Sequence, residues 1–259
     1  LELVKLYNSD QTSYYRSSEV EAVIHKALNY WFTAKPVCLN WWYNQIGIPK
    51  TLGTVFILFE KQLTPVEKQS AITVMENAKF GMTGQNKVWL AGNVMMRALL
   101  QNDYELVKMA RDTIASEIVT GGAEGIKDDW CFHQHGAQQQ FGNYGLSFVS
   151  GMSFFSGLFS GTSLAFDDKQ LSILSILIDK GYRWVIWKGM MDVNALGRQL
   201  FHHAPVHKAL SLAFATSELG GGESDECMAV ATALLRDNYP APAVNVFTGP
   251  VSYTHLRAH

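Results

Sequence analysis

The sequence predicts an all-α fold built from antiparallel helical hairpins, and three observations carry that reading. Apolar residues recur with a period of about 3.6 residues, and the two-residue alternation of half-buried strands does not recur. Successive periodic segments are joined by short turns, which favours antiparallel neighbours. The chain is 47% hydrophobic and only 17% charged, enough to bury a large core and far from the composition of a disordered segment. Where such an array of hairpins curves, it is of the α/α-toroid type.

The elements follow in order. Ser17 and Ser18 before Glu19 and Glu21 supply an N-cap and an acidic first turn for a helix through Val20, Val23, Ile24, Ala27, Leu28 and Trp31, which Pro36 stops. A second segment from Asn40 through Trp41, Trp42, Ile46, Ile48, Leu52, Val55, Phe56 and Phe59 is apolar on most sides, so deep burial is expected, with Pro49 as an interruption. Thr64-Pro65 opens a helix expected to reach Phe80-Gly81. After a loop at 82–86, helices are expected over 88–100 and 103–119, and the glycine-rich stretch 120–125 breaks the pattern. Residues 126–143 are polar, rich in Gln and His and without a clean period, so they read as a long loop or irregular strand, the kind of segment that tends to be functional. Helical signal returns at 144–159, 167–178, in part through 184–200, at 206–217 and at 224–235.

Composition bounds the function. With 21 Lys and Arg against 23 Asp and Glu, the net charge of −2 over 259 residues excludes a nucleic-acid binder or a polybasic membrane-surface protein as the default. No run is apolar enough to span a bilayer, and no signal peptide opens the chain, which starts at Leu1 rather than Met. Cys38, Cys131 and Cys227 are too few and too scattered for a disulfide framework or a thiolate metal site. Seven Trp, ten Tyr and fourteen Phe exceed what core filling needs, and aromatic faces stack on sugars.

Four places carry chemistry. Adjacent Trp41 and Trp42 on a helix point roughly 100° apart, so both cannot enter one core, and one of them or Tyr43 is positioned to line a groove. In Thr83-Gly84-Gln85-Asn86, Asn86 is either an N-cap or an amide projecting into a cleft. His133 and His135 in extended backbone put both rings on one face, which raises a metal site, although no third ligand stands at tight spacing. The same loop brings His135 toward Tyr144, a pairing suited to general acid–base work. Gly197-Arg198-Gln199, followed by His202, His203 and His207, places Arg198 where, with Lys188, it gives a groove positive potential for an anionic substrate.

Taken together, Asn40-Trp41-Trp42-Tyr43-Asn44-Gln45-Ile46-Gly47, Met82-Thr83-Gly84-Gln85-Asn86-Lys87-Val88-Trp89, Phe132-His133-Gln134-His135-Gly136 with Gln138-Gln139-Gln140-Phe141-Gly142-Asn143-Tyr144-Gly145, and Gly197-Arg198-Gln199 resemble the family 8 polysaccharide lyases, most of all the chondroitin AC lyases. The resemblance implies an incomplete α/α toroid that cleaves uronic-acid-containing glycosaminoglycan, chondroitin and hyaluronan among them, by β-elimination. It implies Asn86, His135, Tyr144 and Arg198 as the catalytic set, and Trp41, Trp42, Tyr43, Asn44, Gln85, Gln138 and His202 as substrate-binding residues. No metal or other cofactor is expected.

In that scheme Asn86 and His135 neutralise the substrate carboxylate, and Tyr144 removes the neighbouring proton and returns one to the leaving oxygen. A free phenol ionises near pH 10, so Arg198 and a donating His135 are needed beside it. Whether His135 is instead the base and Tyr144 only the acid is left open. Two rival readings are a polysaccharide-binding fragment or pseudo-lyase without turnover, and a metal-dependent glycan hydrolase using His133 and His135.

His202 stands where members of the family often carry a second arginine. A family acidic residue from the following β-sandwich region has no counterpart here. The expected organisation is a catalytic helical domain over 1–238 lacking its first helices, a linker and the start of a β-rich region over 239–250, and a non-native tail over 251–259 that resembles a translated sequencing adapter. The expected partner is an acidic polysaccharide, with no nucleic acid and no membrane, and the expected state is a monomer, secreted or periplasmic by family resemblance.

Overall fold

The structure is a computed structural model, and it describes residues 1–219. The expected helix at 224–235, the β-rich start at 239–250 and the tail at 251–259 lie outside the described residues. The described chain is helical: α1 (Glu2–Asn8), α2 (Ser18–Ala34), α3 (Ile48–Leu58), α4 (Pro65–Met75), α5 (Gly84–Gln101), α6 (Tyr104–Ala115), α7 (Leu146–Phe159), α8 (Asp168–Ile176) and α9 (Ala204–Leu219). No described helix is long and apolar enough to cross a membrane. The residues form two compact units, Leu1–Met82 with Trp89–Ile114, and Thr83–Val88 with the described residues from Ala115 onward. Helix α5 therefore gives its first turn to the second unit and the remainder to the first.

In the first unit the cap signals act as the sequence predicts. Ser17 accepts from the Val20 amide at the start of α2, and Lys35 ends that helix in the left-handed conformation, φ 43°. Thr64 and Glu67 form a reciprocal capping box on α4. Val4 and Tyr7 of α1, Ile24 and Leu28 of α2, Val55 and Phe56 of α3, Met75 of α4 and Leu100 of α5 join one buried cluster. Glu67 is buried beneath it and accepts from His25 Nδ1 at 2.8 Å, Asn29 Nδ2 at 3.1 Å and both the amide and hydroxyl of Thr64 at 2.9 and 3.0 Å. Burial pushes this carboxyl up, but the bonds from Thr64 and His25 outweigh it and hold it below its ordinary value.

Two expectations for this unit change. The segment from Asn40 to Phe59 is not buried throughout: Ile46, Phe56 and Phe59 are, whereas Trp41, Tyr43 and Leu58 are exposed. Pro49 starts α3 rather than interrupting it, because at the first positions of a helix its missing N–H leaves no bond unmade. A π-helical turn, Tyr43–Gly47, precedes α3. Helix α4 ends at Met75 instead of near Phe80.

In the second unit α7 and α9 pack together, and the polar stretch after α6 carries only a two-residue antiparallel ladder, β1 (Gly125–Ile126) with β2 (Phe132–His133). A π-helical turn, Phe141–Gly145, leads into α7. Asp167 and Gln170 cap α8 reciprocally. The partial helix expected over 184–200 is reduced to 3-10 turns at Tyr182–Val185 and Val193–Ala195. Between them β3 (Ile186–Trp187) and β4 (Met190–Met191) form a hairpin. Lys188 at φ 46° and Gly189 at φ 73° supply the two left-handed positions of a tight hairpin turn, and this outweighs the helical spacing of the apolar residues around it.

Candidate active site

The site is assembled in the second unit on three backbone devices. The first is the turn after β2. His135 (φ 60°) and Gly136 (φ 75°) are consecutive left-handed residues, closed by the Gln134 amide on the Gln138 carbonyl at 3.1 Å. Holding a histidine there costs about 1–3 kcal/mol, and the residue is exposed at this turn. The second is the π-helical turn that carries Tyr144, a feature frequent at functional sites. Gly142 is required in it, because a Cβ would stand 2.7 Å from Leu196 Cα and 2.8 Å from the Ala195 carbonyl oxygen. The third is the segment after Leu196, where Gly197 (φ 69°) turns the chain into Arg198.

These devices bring three expected residues together. His135 Nε2 is 3.0 Å from the Tyr144 hydroxyl oxygen, and Arg198 Nη2 donates to the same oxygen at 3.1 Å. The His135 ring meets the Tyr144 ring edge-on at 4.9 Å. Tyr144 is 8% exposed, so its ring is packed while its hydroxyl is shared between a guanidinium and an imidazole.

Asn86 lies inside the first turn of α5, which starts at Gly84, so it is not the N-cap. It is buried, and its amide oxygen has no hydrogen-bond partner among the described residues, an omission that costs about 1–3 kcal/mol unless something else completes it. The helix start beneath it is tied to the His135 loop. Gln134 accepts from the Gln85 amide at 2.8 Å and donates to the Thr83 carbonyl and to Glu124. Glu124 in turn accepts from the Thr83 hydroxyl at 2.6 Å and from the Gly136 amide at 3.0 Å. Glu117 accepts from the Gly84 amide at 2.7 Å and from Lys87 at 2.8 Å.

Several expected contacts are not as the sequence implied. Gln85 is fully buried, and its side-chain amide has no hydrogen-bond partner among the described residues. Asn44 is occupied locally, donating to the Cys38 carbonyl at 2.6 Å and accepting from the Cys38 amide at 2.9 Å, so it braces its own loop. Trp42 packs edge-on to Tyr43 and Trp89 at 5.4 and 5.5 Å and presses on Gly47, whereas Trp41 and Tyr43 remain exposed. The His202 ring lies tilted against that of His203, ring centroids 3.7 Å apart. Gln138 is exposed and accepts from Gln140 at 3.3 Å. Lys188 sits in the hairpin turn over Trp187.

The shared face imagined for His133 and His135 fails because His135 is left-handed rather than extended. Burial pushes the His133 imidazole down, with the Lys127 charge adding to it, and its Nε2 is buried without a partner among the described residues.

The family model for the N-terminal α-helical domain of polysaccharide lyase family 8 matches residues 1–217. The chain belongs to family 8. Among curated family 8 relatives, chondroitinase-AC of Pedobacter heparinus is 30% identical over 201 residues, covering 76% of this chain and 29% of that protein. Xanthan lyase of Bacillus sp. strain GL1 is 26% identical, over 73% of this chain and 22% of its own length. The chain thus spans less than a third of the curated relatives it matches. A chondroitinase AC lyase structure solved with oligosaccharides superposes with a TM-score of 0.77 at 26% identity, over 93% of this chain and 36% of that one. A Paenibacillus xanthan lyase gives 0.81 at 21% identity, over 92% and 25%, which speaks for the fold alone. The all-α fold class expected from the sequence is therefore the right one, and the likeness to chondroitin AC lyases holds in both sequence and structure.

Residues that motif reading missed are Glu117, Glu124, Gln134 and Lys208. Lys208 carried a signal: it lies in phase with Ala204 and Leu212, four residues to either side on the apolar face of α9, where a solvated lysine does not belong.

Proposed function

We propose that this chain is the catalytic helical part of a lyase that cleaves uronic-acid-containing glycosaminoglycan, chondroitin first and hyaluronan second, by β-elimination. One observation carries the reading: a single phenol oxygen contacted at 3.0 Å by His135 and at 3.1 Å by Arg198. A base that must hold negative charge and then return a proton needs that pair of donors beside it.

In this mechanism Tyr144, as phenolate, takes the proton from the carbon bearing the uronate carboxylate. The electron pair forms a carbon–carbon double bond as the neighbouring glycosidic carbon–oxygen bond breaks, and Tyr144 returns the proton to the leaving oxygen. The proton is acidic enough only if charge on the carboxylate is met as it grows, the task of the Asn86 amide with His135. The Asn86 side-chain NH2 is the group that would donate to that carboxylate, from a buried position in the first turn of α5. Exposed Trp41 and Tyr43 supply flat faces for sugar rings. The partner is an acidic polysaccharide, and the place of action is outside the cytoplasm, as expected for a polymer-degrading enzyme.

The test is the ultraviolet absorbance of the unsaturated uronide on chondroitin, hyaluronan and xanthan, using the full-length gene product. Product formed by the unsubstituted protein and lost in Tyr144→Phe supports the lyase. Binding of chondroitin without product identifies a binding-only protein, and full turnover in Tyr144→Phe removes Tyr144 from the chemistry.

A further inference from the structure

Lys208 is a buried charged group in the second unit that this mechanism does not use. It is 4% exposed, and its Nζ donates to two acceptors: the Gly142 carbonyl and the Gln199 side-chain oxygen, the latter at 2.9 Å. Gly142 lies in the π-helical turn two residues before Tyr144, and Gln199 directly follows Arg198. One ammonium therefore ties together the two backbone segments whose side chains meet at the Tyr144 hydroxyl, although those segments are more than fifty residues apart in the chain. Among the described residues Lys208 forms no ion pair. A buried ammonium with only neutral acceptors is costly to keep, so its contribution has to be sought in what it holds in place. Burial pushes it below its ordinary value, in line with that cost.

We propose that Lys208 is a positioning residue that sets the Arg198–Tyr144 contact by clamping the Gly142 carbonyl to the Gln199 side chain, and so controls the proton-transfer step without touching substrate. This rests on the lyase reading for its kinetic consequence and on geometry alone for the clamp itself. A displacement of about 1 Å at a reacting group can lower turnover on the order of 100-fold. Binding of the polymer, made elsewhere, is untouched by such a shift.

The experiment uses Lys208→Met, which keeps the buried stem and removes the donor, and Gln199→Met, at an exposed position where misfolding is not an issue. Steady-state formation of unsaturated product is expected to fall about 100-fold in kcat for Lys208→Met and about tenfold for Gln199→Met, each with KM within about threefold. In a Tyr144→Phe background, Lys208→Met is expected to cost nothing further, because the contact it sets is already gone. An equal kcat in Lys208→Met, or a loss confined to KM, overturns the proposal.

A second readout needs no turnover: the nitrogen-15 guanidinium resonance of Arg198, assigned by its loss in Arg198→Lys, is expected to shift or broaden in both Met variants. If the unsubstituted protein makes no unsaturated product, the lyase reading falls, while an unchanged Arg198 resonance would overturn the clamp itself.

Discussion

Glu67 in the first unit and Lys208 in the second are both buried charges, 3% and 4% exposed, and they are treated in opposite ways. The Glu67 carboxylate is surrounded by donors from His25, Asn29 and Thr64, and the sum of those bonds exceeds its desolvation. The Lys208 ammonium has two neutral acceptors, and desolvation prevails. A charge fully completed by its own unit strengthens the fold, whereas one left incomplete weakens it. Both units carry π-helical turns and left-handed residues, but the buried side-chain polar atoms without a partner among the described residues, the Asn86 amide oxygen included, fall in the second.

The largest effect that would sharpen this contrast is chemical. Tyr144→Phe is expected to lower formation of unsaturated product on the order of 1000-fold with the melting temperature unchanged, since only the hydroxyl is removed. Next comes stability. Glu67→Ala strands the donors of His25, Asn29 and Thr64 and is expected to cost about 3 kcal/mol in urea denaturation. Lys208→Met is expected to stay within about 1 kcal/mol of the parent or exceed it, because replacing an uncompensated buried charge by an apolar stem relieves desolvation. The contrast breaks if the two variants change stability by the same amount.

The pH dependence separates the same two groups more finely. Glu67 has its folded value below the ordinary 4.5, so its contribution is present above the unfolded value and is lost as pH falls through the lower folded one. Glu67→Gln should flatten that acid limb. Lys208 has its folded value below the ordinary 10.5, so between the two the unfolded chain binds more protons and stability rises with pH. Lys208→Met should remove that alkaline rise, as followed by urea midpoints across pH.

The smallest effects concern the paired tryptophans. Trp41→Ala is expected to weaken polysaccharide binding by about 1 kcal/mol with little change in melting, as for loss of one stacking face. Trp42→Ala, which removes the packing on Trp89 and Gly47, is expected to lower the melting temperature by several degrees instead. Calorimetric titration with chondroitin oligosaccharides and thermal melts distinguish the two.

What the sequence by itself determined were the features encoded within a few residues. Ser17-Ser18, Thr64-Pro65 and Asp167 marked helix starts, because an N-cap acts over three or four positions. Trp41 and Trp42 were bound to part company because adjacent helical side chains diverge. The His135 and Tyr144 pairing was legible because only nine residues separate them in one glycine-punctuated loop. Tertiary structure alone decided the rest. The Lys208 bond to Gly142 spans 66 residues and the Gln134 bond to the Gln85 amide spans 49, and no local pattern reports partners that distant. The hairpin at Lys188-Gly189 displaced a helical period because two left-handed residues set a turn more strongly than spacing sets a helix. Burial of Gln85 and the local bracing by Asn44 likewise depend on which neighbours the folded chain supplies. Local spacing thus paired His135 with Tyr144, and contacts that only folding creates decided how these two and Arg198 face one another.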